Sequence, residues 1–148
     1  MKVISLFGSA DTGKTRTLLD LVQLLLKNGS LLIPPEPFVF GDCDGNFLVV
    51  LATGKRVCIT TSGDNAAIQE ANLRFVENQK PDIWITASRT RGGSCGVIFT
   101  STILSIDEMI WAGKTYIDSS FPGSIAELEY KRCNNSDANR LEVLVRSL

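Results

Sequence analysis

Four residues near the start of the chain have the types and the spacing to bind a phosphate group. Gly8 and Gly13 are separated by four residues, and Lys14 and Thr15 follow directly. Glycines let a main chain approach a ligand closely, and successive backbone N–H groups can surround an anion. Lysine supplies a positive charge, and a threonine hydroxyl can bind a metal ion. Because the residues before Gly8 are apolar, the pattern predicts a loop at the end of a buried strand.

A strand and a helix should hold this loop. Residues 2–7 are predicted to form a strand that is covered on both faces, because the largely apolar run 3–7 has a typical strand length and ends at Gly8. In residues 13–27, polar side chains recur at helical spacing among leucines, and Asn28-Gly29 is a helix stop signal. The amino end of such a helix carries unpaired N–H groups and the positive end of the helix dipole. A polyphosphate would therefore be favoured there.

The segment GSADTGKT, residues 8–15, matches the pattern G-x-x-x-x-G-K-[ST], the Walker A motif or P-loop, between a predicted strand and a predicted helix. Through this motif and its order of strands and helices, the chain resembles the P-loop NTPase superfamily, most of all its small ATP-binding or nucleotide-kinase-like members. The resemblance implies a three-layer α/β fold with a parallel sheet, and bound Mg²⁺ with ATP. The alternative is an ordinary glycine-rich turn.

The resemblance also implies a role for each residue of the loop. Lys14 would reach the β- and γ-phosphates and act in catalysis, while Thr15 would place its hydroxyl on the Mg²⁺ ion. The residues expected to contact the nucleotide are Gly8, Ser9, Ala10, Asp11, Thr12, Gly13, Lys14, Thr15 and Arg16.

Members of this superfamily usually hold Mg²⁺ with a carboxylate at the end of a strand beside the loop strand. Asp64 is favoured as this metal-side residue because it follows a strongly β-branched run, although it could instead cap the next helix. The alternative is Asp107, with Glu108 as the base that activates water, if residues 103–106 form a strand. Asp107 and Glu108 could also begin a helix that Ser105 caps.

Arg89 and Arg91 follow a predicted buried strand at residues 82–88. In an open α/β sheet, a loop at this place projects from the carboxyl edge, where ligands bind. A guanidinium group there could clamp a phosphate or stabilise charge in the transition state, so both arginines are candidate catalytic residues. A solvated basic loop is the alternative.

An antiparallel hairpin is predicted around residues 46–61, because the apolar runs 47–52 and 55–61 are joined by Thr53-Gly54, a tight-turn signal. Three prolines in the segment before it leave at most a short extended stretch at residues 38–40. The turn GDCDGN precedes the hairpin. Its two acidic residues are interpreted as turn formers, since a calcium loop would need further acids; they are Asp42 and Asp44.

A helix is predicted at residues 65–79, followed by the strand at 82–88 in a parallel crossover. Its apolar side chains, expected to face inward, are Ile68, Ala71, Phe75 and Val76. Its polar side chains, expected to face elsewhere, are Gln69, Glu70, Arg74 and Glu77.

The last third of the chain predicts more helix than strand. We expect a helix in residues 97–112 that ends near Ala112, although a strand that runs into a helix would also fit this apolar segment. A short strand is expected at 114–118, and helices are expected at 124–132 and 137–148.

The composition bounds the function. A chain of 148 residues predicts a single domain, 1–148, and a net charge of −1 argues against broad nucleic-acid binding. The absence of histidine excludes the usual imidazole base of a hydrolase. The four cysteines form no C-x-x-C pair, which favours reduced thiols in a cytoplasmic protein, and no apolar run is long enough to span a membrane.

These observations lead to two hypotheses. The first is a Mg²⁺–ATP-binding P-loop protein that hydrolyses ATP or transfers its γ-phosphoryl group to a small molecule or a protein. The alternative is a nucleotide-binding switch or assembly component with little turnover by itself. A regulatory GTPase is disfavoured because the guanine-recognition pattern N-K-x-D is absent.

Overall fold

The computed structural model describes residues 1–33, 44–90, 93–100, 106–115 and 123–148. These residues form six strands and four helices. In chain order, the elements are β1 (Lys2–Gly8), α1 (Lys14–Lys27), β2 (Leu31–Ile33), β3 (Asn46–Val50), β4 (Arg56–Thr60), α2 (Ala66–Gln79), β5 (Ile83–Arg89), α3 (Gly93–Thr100), β6 (Glu108–Gly113) and α4 (Gly123–Ser147).

The strands form one mixed sheet in the order β2-β3-β4-β5-β1-β6. Strands β4, β5, β1 and β6 pair parallel with one another, whereas β3 pairs antiparallel with both β2 and β4. The predicted α/β class, the parallel crossover from β4 to β5 and the β3–β4 hairpin are confirmed. Strand β2 was not predicted, because three residues before a proline-rich segment carry little strand signal.

Helices cover both faces of the sheet. Side chains alternate along β1, so that Ile4 and Leu6 belong to the core that α1 and α4 cover, whereas Val3 belongs to the core under α2 and α3. The arrangement is compatible with a three-layer α/β fold.

The two central strands send the chain to opposite faces. Strand β1 continues into α1 on one face, whereas β5 continues into α3 on the other face and reaches β6 on the far side of β1. The loops that follow β1 and β5 therefore diverge at the carboxyl edge. A crevice at such a point is where open α/β sheets bind ligands.

The prediction for the segment around α3 and β6 was wrong in its second half. Within the described residues, helix α3 extends to Thr100, and residues 108–112, which were expected to be helical, lie in strand β6. Strand β6 pairs parallel with β1, so that Ile110 and Ala112 face one core and Met109 faces the other. A short apolar run has a similar pattern in a buried strand and in a buried helix. Pairing with β1 makes this segment a strand.

Two smaller expectations also need correction, and several others concern residues that the structure does not describe. Lys114 and Thr115 do not form a strand, and residues 116–118 lie outside the described residues. The two helices predicted near the carboxyl end are one helix, α4. The predicted extended stretch at residues 38–40, Asp42 and residues 103–105 also lie outside the described residues.

The buried face of α2 differs from the predicted one. Gln69 and Asn72 are buried together with Leu73 and Val76, whereas Ala71 is exposed. Polar residues are usually assigned to the solvent face of a helix, which is why Gln69 was placed wrongly. No helix in the described part of the chain is long and apolar enough to cross a membrane.

Candidate functional site

The loop between β1 and α1 has the backbone geometry of a tight strand-to-helix turn. Gly13 adopts φ 81° and ψ 23°, a left-handed conformation that favours glycine, and Asp11 also has a positive φ of 55°. The hydroxyl of Thr12 donates to the carbonyl of Ser9 at 3.0 Å and closes the turn. Helix α1 therefore begins at Lys14, with its amino end at the carboxyl edge of the sheet.

The side chain of Lys14 folds back over the loop. Its Nζ donates to the carbonyl oxygens of Ser9 at 2.6 Å and Gly8 at 3.2 Å, and the residue is only 6% exposed. Burial lowers the pKa of Lys14, although the nearby charge of Asp64 acts in the opposite direction. Within the described part of the chain, no carboxylate forms an ion pair with this ammonium group. Among the described residues, this ammonium group is therefore hydrogen-bonded to carbonyl oxygens alone, and the carboxylate of Asp64 acts on it only from a distance.

The hydroxyl of Thr15 lies beside a carboxylate. Its Oγ1 donates to Asp44 Oδ1 at 3.0 Å and lies 3.3 Å from the carbonyl oxygen of Thr61. The hydroxyl of Thr61 accepts a hydrogen bond from the N–H of Gly45 at 2.8 Å, which ties Asp44 to the end of β4. Three oxygen atoms that could bind a hard cation thus meet at the start of α1.

The sequence reasoning missed Asp44 as a site residue and interpreted it as a turn former. The hairpin could have revealed it. Asn46 pairs with Thr60, so the residues just before β3 and just after β4 must lie side by side. Because β4 ends at the same edge as β1, these residues also reach the loop.

Asp64 lines the same edge and forms an ion pair with Arg89. Arg89 Nη2 donates to Asp64 Oδ2 at 3.1 Å, and this hydrogen bond is the main reason that the pKa of Asp64 lies below its usual value. Asp64 does not cap α2, since the Oδ1 of Asn65 accepts from the N–H of Ile68 at 3.0 Å. Arg91, the other predicted arginine, lies outside the described residues.

Two details of this pair bear on its use. The metal-side carboxylate was expected at the end of a strand directly beside β1. The strand before Asp64 is β4, and β5 lies between β4 and β1. Arg89 Nε is buried and has no hydrogen-bond partner in the described ranges. This N–H group is therefore an unsatisfied donor of the guanidinium group.

Asp107 and Glu108 lie at the other edge of the sheet. The amino group of Met1 donates to the carboxylate of Asp107, and Lys2 forms an ion pair with Glu108 at 3.2 Å. Since β1 runs from Lys2 to Gly8, these acids are at the wrong end of the strand to face the loop. Of the two competing carboxylates, Asp64 is the one beside Lys14.

A cavity of about 380 Å³ opens at the carboxyl edge of the sheet, beside the loop. It is lined by the loop from Asp11 to Arg16, by Asp44 and by the segment from Thr61 to Asp64. Within the described residues, no three metal-binding side chains cluster closely enough to hold a metal by themselves. Mg²⁺ usually takes one or two carboxylates and completes its octahedron with water and phosphate oxygens, so Thr15, Asp44 and Asp64 suit that mode.

The remaining residues that were predicted to contact the nucleotide do not all line the cavity. Gly8, Ser9 and Ala10 precede the part of the loop that lines the cavity, and Ser9 and Ala10 are exposed. Arg16 also lines the cavity, although its Nε donates to Asp20 at 3.1 Å.

Two amide side chains of α2 support the segment that carries Asp64. Gln69 Nε2 donates to the carbonyl of Ala87 at 2.7 Å, and Asn72 Nδ2 donates to the carbonyl of Ser62 at 2.8 Å. Gly63 packs so closely that an added Cβ would lie 1.7 Å from the Ala87 oxygen. No sequence signal marked these residues, because an amide on a helix is ordinarily read as solvent-facing.

Comparison of the chain with protein-family models, with curated proteins and with solved structures gave no match.

Proposed function

We propose that this protein binds Mg²⁺–ATP at the loop of residues 8–15 and hydrolyses it or transfers its γ-phosphoryl group. The observation that carries the proposal is the buried ammonium of Lys14, which lies at the amino end of α1 and has no carboxylate of its own within the described residues. A buried charge is costly unless it is paired, and a phosphate would supply the counter-charge. The Walker A spacing of the same residues supports this proposal.

In this proposal, the backbone N–H groups of the loop and Lys14 hold the β- and γ-phosphates. Thr15 and Asp64 would hold the Mg²⁺ ion, and the position of Asp44 supports adding it as a second carboxylate. Arg89, which forms an ion pair with Asp64, would neutralise charge on the transferred group, and Arg91 is a further candidate from the sequence. The metal would offset the negative charge that develops between the phosphates.

A second function, a nucleotide-binding switch with little turnover, is favoured by the position of Glu108, the residue that the sequence offered as the base that activates water. Glu108 forms an ion pair with Lys2 at the end of β1 that lies away from the loop. ATP binding without release of phosphate, tested also with candidate small-molecule and protein acceptors, would support the switch. A cytoplasmic location belongs to both versions, because reduced cysteines persist there.

Replacing Lys14 by alanine tests nucleotide binding. We expect the dissociation constant for Mg²⁺–ATP to rise about 30-fold or more, since hydrogen bonds to charged groups contribute about 1.5 to 3 kcal/mol each. Isothermal titration calorimetry with magnesium in excess measures it.

The matched control is Lys27→Ala, which removes an exposed lysine from the last turn of the same helix and should leave the affinity unchanged. If Lys14→Ala binds Mg²⁺–ATP as tightly as the unmodified protein, the proposal is wrong.

A further inference from the structure

Helix α4 contacts the end of the phosphate loop that adjoins α1. Asn134 is 7% exposed, and its Oδ1 accepts a hydrogen bond from the hydroxyl of Thr17 at 3.3 Å. A Cβ added to Gly13 would lie 2.7 Å from the same oxygen. Gly13 is therefore constrained twice, by its left-handed backbone and by the amide that packs against it.

The same helix also reaches the other end of the loop, through Lys114. The backbone N–H of Lys114 donates to the carbonyl of Phe7 at 2.9 Å. A Cβ on Gly8 would lie 3.0 Å from the Cβ of Lys114 and 3.7 Å from its Cγ, so the stem of this lysine covers Gly8. Its ammonium group forms an ion pair with Asp137 of α4 at 2.9 Å.

Asp137 is the anchor of this second contact. Besides Lys114, its carboxylate accepts from the backbone N–H of Thr115 at 2.8 Å and from the Thr115 hydroxyl at 2.6 Å. Arg140 adds a further ion pair at 3.2 Å. The carboxylate is 2% exposed. A buried charge with this many donors holds the segment after β6 firmly against α4.

Asn134 and Asp137 lie three residues apart and therefore share one face of α4. Farther along the helix, Ala138, Leu141 and Val145 are buried in the core that α1 also enters. Helix α4 is thus fixed to the body of the protein, contacts Gly13 through Asn134 and reaches Gly8 indirectly, through the ion pair of Asp137 with Lys114.

We propose that Asn134 and Asp137 are positioning residues that hold the phosphate loop in its binding conformation from opposite ends. A loop with two glycines loses much conformational freedom when it orders around an anion, and that loss weakens binding. Contacts that order the loop beforehand remove this cost. The functional part of the inference rests on the proposed nucleotide binding.

The test replaces Asn134 by alanine and measures the dissociation constant for Mg²⁺–ATP by calorimetry. The change removes one hydrogen bond and opens space beside Gly13, so we expect about fivefold weaker binding, the equivalent of about 1 kcal/mol. The titration is run well below the unfolding temperature of each variant. A loss of stability alone then leaves the dissociation constant unchanged, because almost all of the protein is folded.

Thr17→Val provides a second readout. If Asn134 acts through the Thr17 hydroxyl, each single variant should weaken binding by a similar factor, and the double variant should be no weaker than either. At the other end of the loop, Lys114→Met combined with Asp137→Asn removes the ion pair without leaving an unpaired buried charge. We expect this double variant to weaken binding severalfold.

Asn135→Ala is the matched control, because Asn135 is the next residue of α4 and is exposed. It should bind as tightly as the unmodified protein. If the unmodified protein binds Mg²⁺–ATP and both the Asn134→Ala and the Lys114/Asp137 variants bind equally well, the inference is overturned while the proposed function stands. If the unmodified protein binds no nucleotide, the proposed function fails first and the positioning role falls with it.

Discussion

Two buried lysines lie on either side of Gly8, and the structure treats them differently. The side chain of Lys114 is 1% exposed and contacts the carboxylate of Asp137, which is almost equally buried. Lys14 is also buried, but among the described residues its ammonium group donates only to the carbonyl oxygens of Gly8 and Ser9. Lys114 therefore has a carboxylate in direct contact, whereas Lys14 has hydrogen bonds to carbonyl oxygens and no ion pair within the described part of the chain.

The difference indicates that the charge of Lys114 is part of the internal structure, whereas the charge of Lys14 is suited to binding an anion. A buried ion pair with further hydrogen bonds satisfies itself, and breaking it leaves one charge stranded. A buried ammonium that only carbonyls solvate has a lowered pKa, as Lys14 does, and gains when an anion arrives. We expect single substitutions at Lys114 or Asp137 to lower stability strongly and to affect binding only through the position of the loop, whereas those at Lys14 should affect binding directly.

The largest expected effect is on stability. Replacing Asp137 by alanine strands the buried ammonium of Lys114, and we expect the free energy of unfolding to fall by about 3 to 5 kcal/mol. Lys14→Met removes a buried charge that lacks a carboxylate, so its free energy of unfolding should be unchanged or slightly higher. Denaturant titrations of the two variants and the unmodified protein measure the contrast. Equal destabilisation by the two substitutions would contradict the expected difference between Lys114, which needs its carboxylate partner, and Lys14, which has none among the described residues.

A smaller effect is expected at the Asp64–Arg89 pair. Replacing Asp64 by asparagine releases Arg89 and removes a negative charge from the cavity, so inorganic tripolyphosphate should bind about threefold tighter in magnesium-free buffer. The gain in affinity on adding Mg²⁺ should shrink in the same variant if Asp64 holds the metal as proposed.

Asp107→Asn is the control for this measurement, since Asp107 lies at the opposite edge of the sheet beside Met1. It should change neither quantity. Tighter anion binding in Asp64→Asn with an undiminished Mg²⁺ effect would remove Asp64 from the metal site and leave it as a partner of Arg89 alone.

The smallest effects are the changes of stability with pH that Asp137 and Lys14 produce. Burial acts to raise the pKa of Asp137, but hydrogen bonds from Thr115 and Lys114 outweigh it and the pKa lies below its usual value. The stability that this carboxylate contributes is complete above about pH 4, the ordinary value for aspartate, and is lost as the pH falls through the lowered pKa. The difference in unfolding free energy between the unmodified protein and Asp137→Asn should therefore shrink below about pH 4.

Lys14 should produce a corresponding change of stability at alkaline pH. Its lowered pKa means that the unfolded chain binds the proton more tightly, so the unmodified protein should gain stability relative to Lys14→Met as the pH rises through that pKa. Denaturant titrations at a series of pH values measure both trends. A constant difference across the alkaline range would contradict the assignment of a desolvated ammonium at Lys14.

The parts of the fold that were predictable depend on neighbours in the chain. The apolar run of β1, the glycine that starts α1 and the tight turn of the β3–β4 hairpin are all local signals, and each prediction agrees with the structure within a residue or two. Strand β6 was mistaken for helix because its state depends on pairing with β1, about a hundred residues earlier. Gln69 was placed on the wrong face because its partner, the carbonyl of Ala87, is chosen by the packing of α2 on β5.

By itself, the sequence determined the Walker A spacing, the strand before it and the helix after it, since backbone freedom at glycine and helical periodicity are properties of a few adjacent residues. Only the tertiary structure decided that Asp44 and Asp64, rather than Asp107, lie beside the loop, and that Asn134 packs on Gly13. Those contacts join residues that are distant in the chain. They follow from sheet order, strand register and helix faces, which the whole molecule sets when it buries its two cores.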